Sequence, residues 1–154
     1  MQPDRDPNHL YPAFADKVKA VLADVSDWCR VHYTGYTAEI AEGYRSVKRQ
    51  QELYAQGRTS KGAIVTQRDG VKAPSNHQSA LAADICPRHH AYGLTWPSDD
   101  HPFWVYLGHA ARAQGLKWGG DWHSFKDMPH IEWMETDTAT YAAAKAWKKS
   151  QGLT

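Results

Sequence analysis

The chain has 154 residues, 42% hydrophobic and 23% charged, with 18 Lys and Arg against 17 Asp and Glu for a net charge of +1. That balance fits one globular domain over residues 1–154 rather than a disordered chain, and it excludes charge-driven nucleic-acid binding as the default function. The longest unbroken apolar run, Phe103 to Leu107, is far too short to cross a bilayer, and no stable membrane association is expected.

Residues 1–10 read as an irregular, polar lead-in without the basic start and apolar stretch of a secretory signal. From Tyr11 to about Val31, Phe14, Val18, Val21, Leu22, Val25 and Trp28 recur at helical spacing, with Pro12 suited to the first turn. Residues 38–42 alternate as a short strand does. Ser46 is placed to cap a helix that runs to Gln56 and stops at Gly57. Residues 57–76 form a long loop, with a short strand expected at Ile64-Val65. Loops of that length inside a compact domain are usually functional.

Residues 80–86 read as a buried strand carrying one carboxylate, Asp84, and residues 87–99 as a loop. Asp99 or Asp100 caps a third helix, with Pro102 in its first turn and Gly115 closing it. Leu116 to Trp118 and His130 to Met134 are strands, separated by a Gly119-Gly120 turn. The last helix starts near Thr136-Asp137 and ends at Lys148 and Lys149. Helices and short strands mixed without clean alternation indicate an α+β fold.

Two cysteines, Cys29 and Cys86, make no disulfide framework and are expected as reduced, buried thiols. Nine His and seven Trp are a richer supply. Asp84 stands out, because an ionised carboxylate in an apolar strand needs a partner or a metal. His77 precedes it by seven positions, and His130 sits at the mouth of another strand. Two His and one Asp leave a fourth zinc position open, the composition of a catalytic site. By spacing alone this signal is weak. Asp127, near His130, suits proton transfer, or it is a solvated turn residue. Arg45 suits a carboxylate or an oxyanion, or it is a surface charge. The adjacent pair His89-His90 points its side chains opposite ways on an extended segment and is a poor chelate.

Gly43-Tyr44-Arg45-Ser46, with Arg49-Gln50 and Leu53 to Thr59, resembles the N-terminal signature of the VanY-like and L-alanyl-D-glutamate zinc peptidases. Ser75-x-His77-x6-Asp84 is similar to that family's metal motif. Trp118 to Trp122 and Phe125 to Trp133 resemble its C-terminal block. The three motifs stand in family order over roughly residues 36–134.

The resemblance implies a small antiparallel sheet with helices packed around it and one zinc per chain in a cleft, held by His77, Asp84 and His130. Asp127 would be the general base, where the carboxypeptidase branch usually has Glu. Arg45 would hold and polarise substrate, and Ser75 would support the site by hydrogen bonding. Trp118, Trp122 and Trp133 are candidate cleft walls or core residues.

Two departures stand out. Ser79-Ala80-Leu81 replaces a segment where many relatives have Gly, and His123 replaces a Lys or another polar residue. The partner implied is the peptidoglycan peptide stem, cut most naturally at L-alanyl-D-glutamate. D-alanyl-D-alanine carboxypeptidase and a silent zinc- or wall-binding module are the alternatives. The resemblance extends to the phage endolysin branch, and a monomer is expected, without the appended wall-binding domain that many endolysins carry. Such a protein is made in the host cytoplasm and reaches the wall after membrane permeabilisation.

Overall fold

The computed structural model describes all residues, 1–154. Helix α1 (Pro12–His32) buries Phe14, Val18, Val21, Val25 and Cys29 along one stripe. Each Phe or Val in it contributes about 1.5–3 kcal/mol on burial, so this stripe anchors the core. Strand β1 (Tyr36–Glu42) follows, then α2 (Val47–Ala55), whose N-cap Ser46 accepts a hydrogen bond from the Arg49 amide. After the long loop come β2 (Ala82–His89), β3 (Gly93–Leu94), α3 (Pro102–Ala113), β4 (Lys117–Trp118), β5 (His130–Glu132) and α4 (Thr138–Ser150). The sheet runs β1-β2-β5-β4 and is antiparallel throughout, with β3 paired to the far half of β2.

This is the expected α+β fold, and it differs from the sequence reading in several places. Ile64-Val65 forms no strand. Strand β2 continues through Pro87 to His89, where a loop was expected. The ladder asks Pro87 only for its carbonyl, which accepts from the Thr95 amide at 2.8 Å, so the missing N–H is no obstacle. The cap of α3 is His101, whose ring accepts from the Phe103 amide, rather than Asp99 or Asp100. The lead-in is docked: Leu10 is buried, the Gly43 amide donates to the Asp4 carbonyl, and Arg5 donates to the Ala41 carbonyl.

One face of the sheet meets the core through Ala83, Ile85 and Ile131. The opposite face holds a polar row at one end of β2. Asp84 lies between Glu42 on β1 and His130 on β5, and Lys117 on β4 is paired with Glu132. Period-two alternation puts His130 and Glu132 on that same face.

Candidate metal centre

His77 sits in a short 3-10 turn, Asn76–Ser79, capped by Ser75, whose hydroxyl accepts from the His77 amide. Gln78 reaches back to the Ser75 amide and closes a capping box. The turn ends at Ala80 in the left-handed conformation, φ 60°. That is the position where glycine is cheapest, so the turn is kept here at a cost of about 1–2 kcal/mol. The departure at Ser79-Ala80-Leu81 therefore leaves the route into β2 intact.

The turn brings three donor atoms together from three segments. His77 Nε2 lies 3.3 Å from His130 Nδ1 and 3.5 Å from Asp84 Oδ1, and His130 Nδ1 lies 3.3 Å from the same oxygen. The outer nitrogen of each ring is already committed. His77 Nδ1 is 2.7 Å from the Gly43 carbonyl, and His130 Nε2 is 2.7 Å from Glu132 Oε2. Both partners only accept, so both outer nitrogens carry a proton, and in the neutral rings that a metal binds both inner ones present a lone pair. Asp84 Oδ2 accepts from Arg45 at 2.9 Å, while buried Oδ1 has no hydrogen-bond partner. An orphaned buried carboxylate oxygen facing two imidazole lone pairs is a metal-ligand set, and two His with one carboxylate suits zinc with an open position.

The charges agree with that geometry. Burial lowers the pKa of His77. Burial works the same way on His130, but the nearby carboxylates of Asp84 and Glu132 prevail and raise it to about 10. Burial would raise Asp84, yet His77, His130 and Arg45 hold it well below the usual carboxylate range. Without an ion, the carboxylates keep a proton on His130, in the place a cation would take.

Asp127 lines the same cleft. Burial, with the charge of Asp84 adding to it, raises its carboxyl to about 6. Its backbone is fixed at both ends: its amide donates to the Gly119 carbonyl, and its carbonyl accepts from the His130 amide. A Cβ at Gly119 would strike the Asp127 carbonyl oxygen. Trp118 stacks its ring against Gly108 and Gly120, and its indole N–H donates to the Met128 carbonyl at 2.7 Å. The indole thereby fixes the arm that carries Asp127.

Trp118 is buried in the core and Trp133 donates to Asp137, and neither lines the cleft. Their expected place as cleft walls is taken by Trp122, together with Trp96, which the sequence reading did not single out. Ser75 lines the cleft but spends its hydroxyl on the cap. Arg45 also lines it, with Nε on Glu42 at 2.9 Å and a terminal nitrogen on Asp84. Its fork is thus held by two carboxylates, with the other terminal nitrogen 3.4 Å from Gln50 Oε1, at the wall of the cleft. His123 is exposed and outside the cleft.

Glu132 was missed by the sequence reading. It binds His130, accepts from Asn76 at 2.9 Å and pairs with Lys117 at 3.7 Å. The signal was present: a buried carboxylate two residues beyond a ligand on the same strand shares its face. Gln50 was likewise read only as part of a motif. It is fully buried and ties the long loop to α2 by donating to the Arg68 carbonyl at 2.8 Å.

Residues 69–133 match the family model described as D-alanyl-D-alanine carboxypeptidase, of the M15 peptidases. The chain is 36% identical over 135 residues to the peptidoglycan L-alanyl-D-glutamate endopeptidase CwlK of Bacillus subtilis, covering 82% of this chain and 74% of that protein. The chain belongs to the M15 metallopeptidase family. Its fold is similar to that of the L-Ala D-Glu endopeptidase ChiX of Serratia marcescens, with a TM-score of 0.55, 23% identity and 86% of each chain covered. It is also similar to the vancomycin-resistance D,D-pentapeptidase VanY solved with Zn(II), with a TM-score of 0.51 and 20% identity, over 94% of this chain and 80% of that one. The match spans the metal motif and the His130 block, where the geometry above had already gathered the donors. No helix is long and apolar enough to cross a membrane.

Proposed function

We propose that this M15 peptidase hydrolyses the L-alanyl-D-glutamate bond of the peptidoglycan stem, with one zinc held by His77, Asp84 and His130. The observation that carries the chemistry is the orphaned Asp84 Oδ1 facing two imidazole lone pairs beside Asp127. Zinc held by these donors would supply Lewis acidity and lower the pKa of water toward neutrality, so that hydroxide is available to attack.

The chain's own residues do the rest. Asp127 Oδ takes the proton of the attacking water and returns it to the departing amine. Its carboxyl lines the cleft on a backbone fixed at both ends, which places it for both transfers. Arg45, braced by Glu42 and Asp84, directs positive charge at the carbonyl oxygen as it becomes an anion. Gly43 and Glu132 hold the two rings in the orientation that ligation needs.

The bond assignment rests on the likeness to CwlK, an L-alanyl-D-glutamate endopeptidase, and on Asp rather than Glu at 127. A lytic role of the endolysin type, reached from the cytoplasm once the membrane is permeabilised, belongs to the same proposal and rests on the sequence resemblance. The test is digestion of purified peptidoglycan, with the new amino termini identified by mass spectrometry. New D-glutamate termini are the expected result. Release of D-alanine instead would assign the chain to carboxypeptidase chemistry, and no release at all would make it a binding module. Lysis of membrane-permeabilised cells tests the lytic role separately.

A further inference from the structure

The cleft holds cations that the fold does not neutralise. Four cationic side chains line it, Arg45, Arg68, Lys117 and Lys126. Arg45 is paired with Glu42 and Asp84, and Lys117 with Glu132 and Glu135. Arg68 and Lys126 have exposed side chains and no carboxylate partner.

Both nevertheless stand on fixed backbone. The carbonyl of Arg68 is held by buried Gln50, and Lys126 directly precedes Asp127, whose amide is tied to Gly119. A divalent cation on His77, Asp84 and His130 adds further positive charge. Of the carboxylates that line the cleft, Asp84, Glu132 and Glu135 pair with Arg45 and Lys117, which leaves Asp127 alone against Arg68, Lys126 and the divalent cation, so the occupied cleft suits a substrate that brings its own negative charge.

Resting on the bond assigned above, we infer that Arg68 and Lys126 recognise a free carboxylate on the residue that departs as the amine. A glutamyl residue that continues the chain through one carboxyl keeps the other free, a few bonds from the scissile nitrogen. Asp127 must approach that nitrogen to return its proton, and Lys126 is its neighbour in the chain. A D-alanyl leaving residue at a chain end also carries a carboxylate, but the amide form of an internal glutamyl residue does not. The pair of cations is thus a selector for the unamidated stem.

The test compares two synthetic tripeptides, L-Ala-γ-D-Glu-L-Lys and the same peptide with D-isoglutamine, which replaces the free carboxylate by a carboxamide. Zinc-loaded wild type, Arg68→Gln, Lys126→Gln, the double variant and Lys126→Glu are compared by kcat/KM for amine release, with zinc content measured on each. Wild type is expected to prefer the acid by about tenfold at low salt, with the preference shrinking as salt rises. The double variant brings the ratio to about one, the single variants fall between, and Lys126→Glu moves the preference toward the amide. A wild type indifferent to amidation, or a double variant that keeps the preference, overturns the inference while leaving the bond assignment standing. If wild type cleaves neither tripeptide but releases D-alanine from a D-alanyl-D-alanine peptide, the bond assignment fails and the inference falls with it.

Discussion

Strand β2 has a cluster of histidines at each end, and the two clusters behave differently. At one end His77 and His130 flank Asp84. At the other, His89 and His90 do not point opposite ways as expected of an extended segment: the strand ends at His89 and the chain turns at His90, so the ring centroids lie 4.4 Å apart, with Tyr36 and Tyr92 beside His89. Proximity is thus common to both. The first pair is buried, each outer nitrogen has an acceptor, and a carboxylate oxygen without a partner faces the inner ones. In the second pair His90 is exposed, His89 spends Nδ1 on the Ala91 amide, and the His89 ring stacks on Tyr92 and meets Tyr36 edge-on, with neither ring paired to a carboxylate. A metal site is made by unspent, oriented lone pairs around an unsatisfied charge, and clustered imidazoles alone do not make one.

The largest effect should come from removing a donor. His77→Ala is expected to lose zinc and all measurable hydrolysis while circular dichroism stays native, with elemental analysis of the purified protein as the check. Full zinc occupancy in that variant would dissolve the contrast between the two clusters. Asp127→Asn should retain zinc and substrate affinity yet lose about 10²–10⁴-fold in kcat, read by single-turnover cleavage of a defined muropeptide. Undiminished cleavage by the zinc-loaded variant would remove Asp127 from the mechanism.

Glu132→Gln, which leaves His130 without its carboxylate, should weaken zinc binding about 10–100-fold in chelator competition. The proton held on His130 gives the same comparison a pH signature. Its free-site pKa of about 10 lies above neutral, and ligation requires its loss. Zinc affinity should therefore rise about tenfold per pH unit below that value, with about one proton released per ion. Calorimetry in buffers of differing ionisation enthalpy measures it, and pH-independent binding would contradict the assignment. Smallest of all, His89→Gln with His90→Gln should leave zinc content unchanged and shift stability by no more than about 0.5 kcal/mol.

Much of this centre was legible in the sequence because its donors announce themselves by cost. Asp84 between Ala83 and Ile85 is a charge in an apolar strand, and the motif resemblance supplied its partners. The helices were readable for a similar reason: the stripe from Phe14 to Cys29 repeats at the helical period. Other features depend on contacts between distant segments. Arg45 meets Asp84 only through the pairing of β1 with β2, so no local pattern shows that its fork is already held. Trp118 and Trp122 are near neighbours in the same motif, yet one fills the core and the other lines the cleft. Composition offered no way to separate them, because Trp118 is seated by contacts with Gly108 on α3, Gly120 and the Met128 carbonyl that only the fold brings together. Glu132 was within reach of alternation from His130 and was overlooked, since a carboxylate near a turn is so often solvated.

The indole of Trp118 links two levels of tolerance. Because it rests on Gly108 and Gly120, and Gly119 abuts Asp127, no methyl group fits at three positions that carry no functional group at all. In a saturation library selected for wall hydrolysis, those glycines should come back as unforgiving as the ligands. The freedom to vary would lie in the exposed loop residues around the cleft, so new specificities would be gained there while the arm of the base stays fixed.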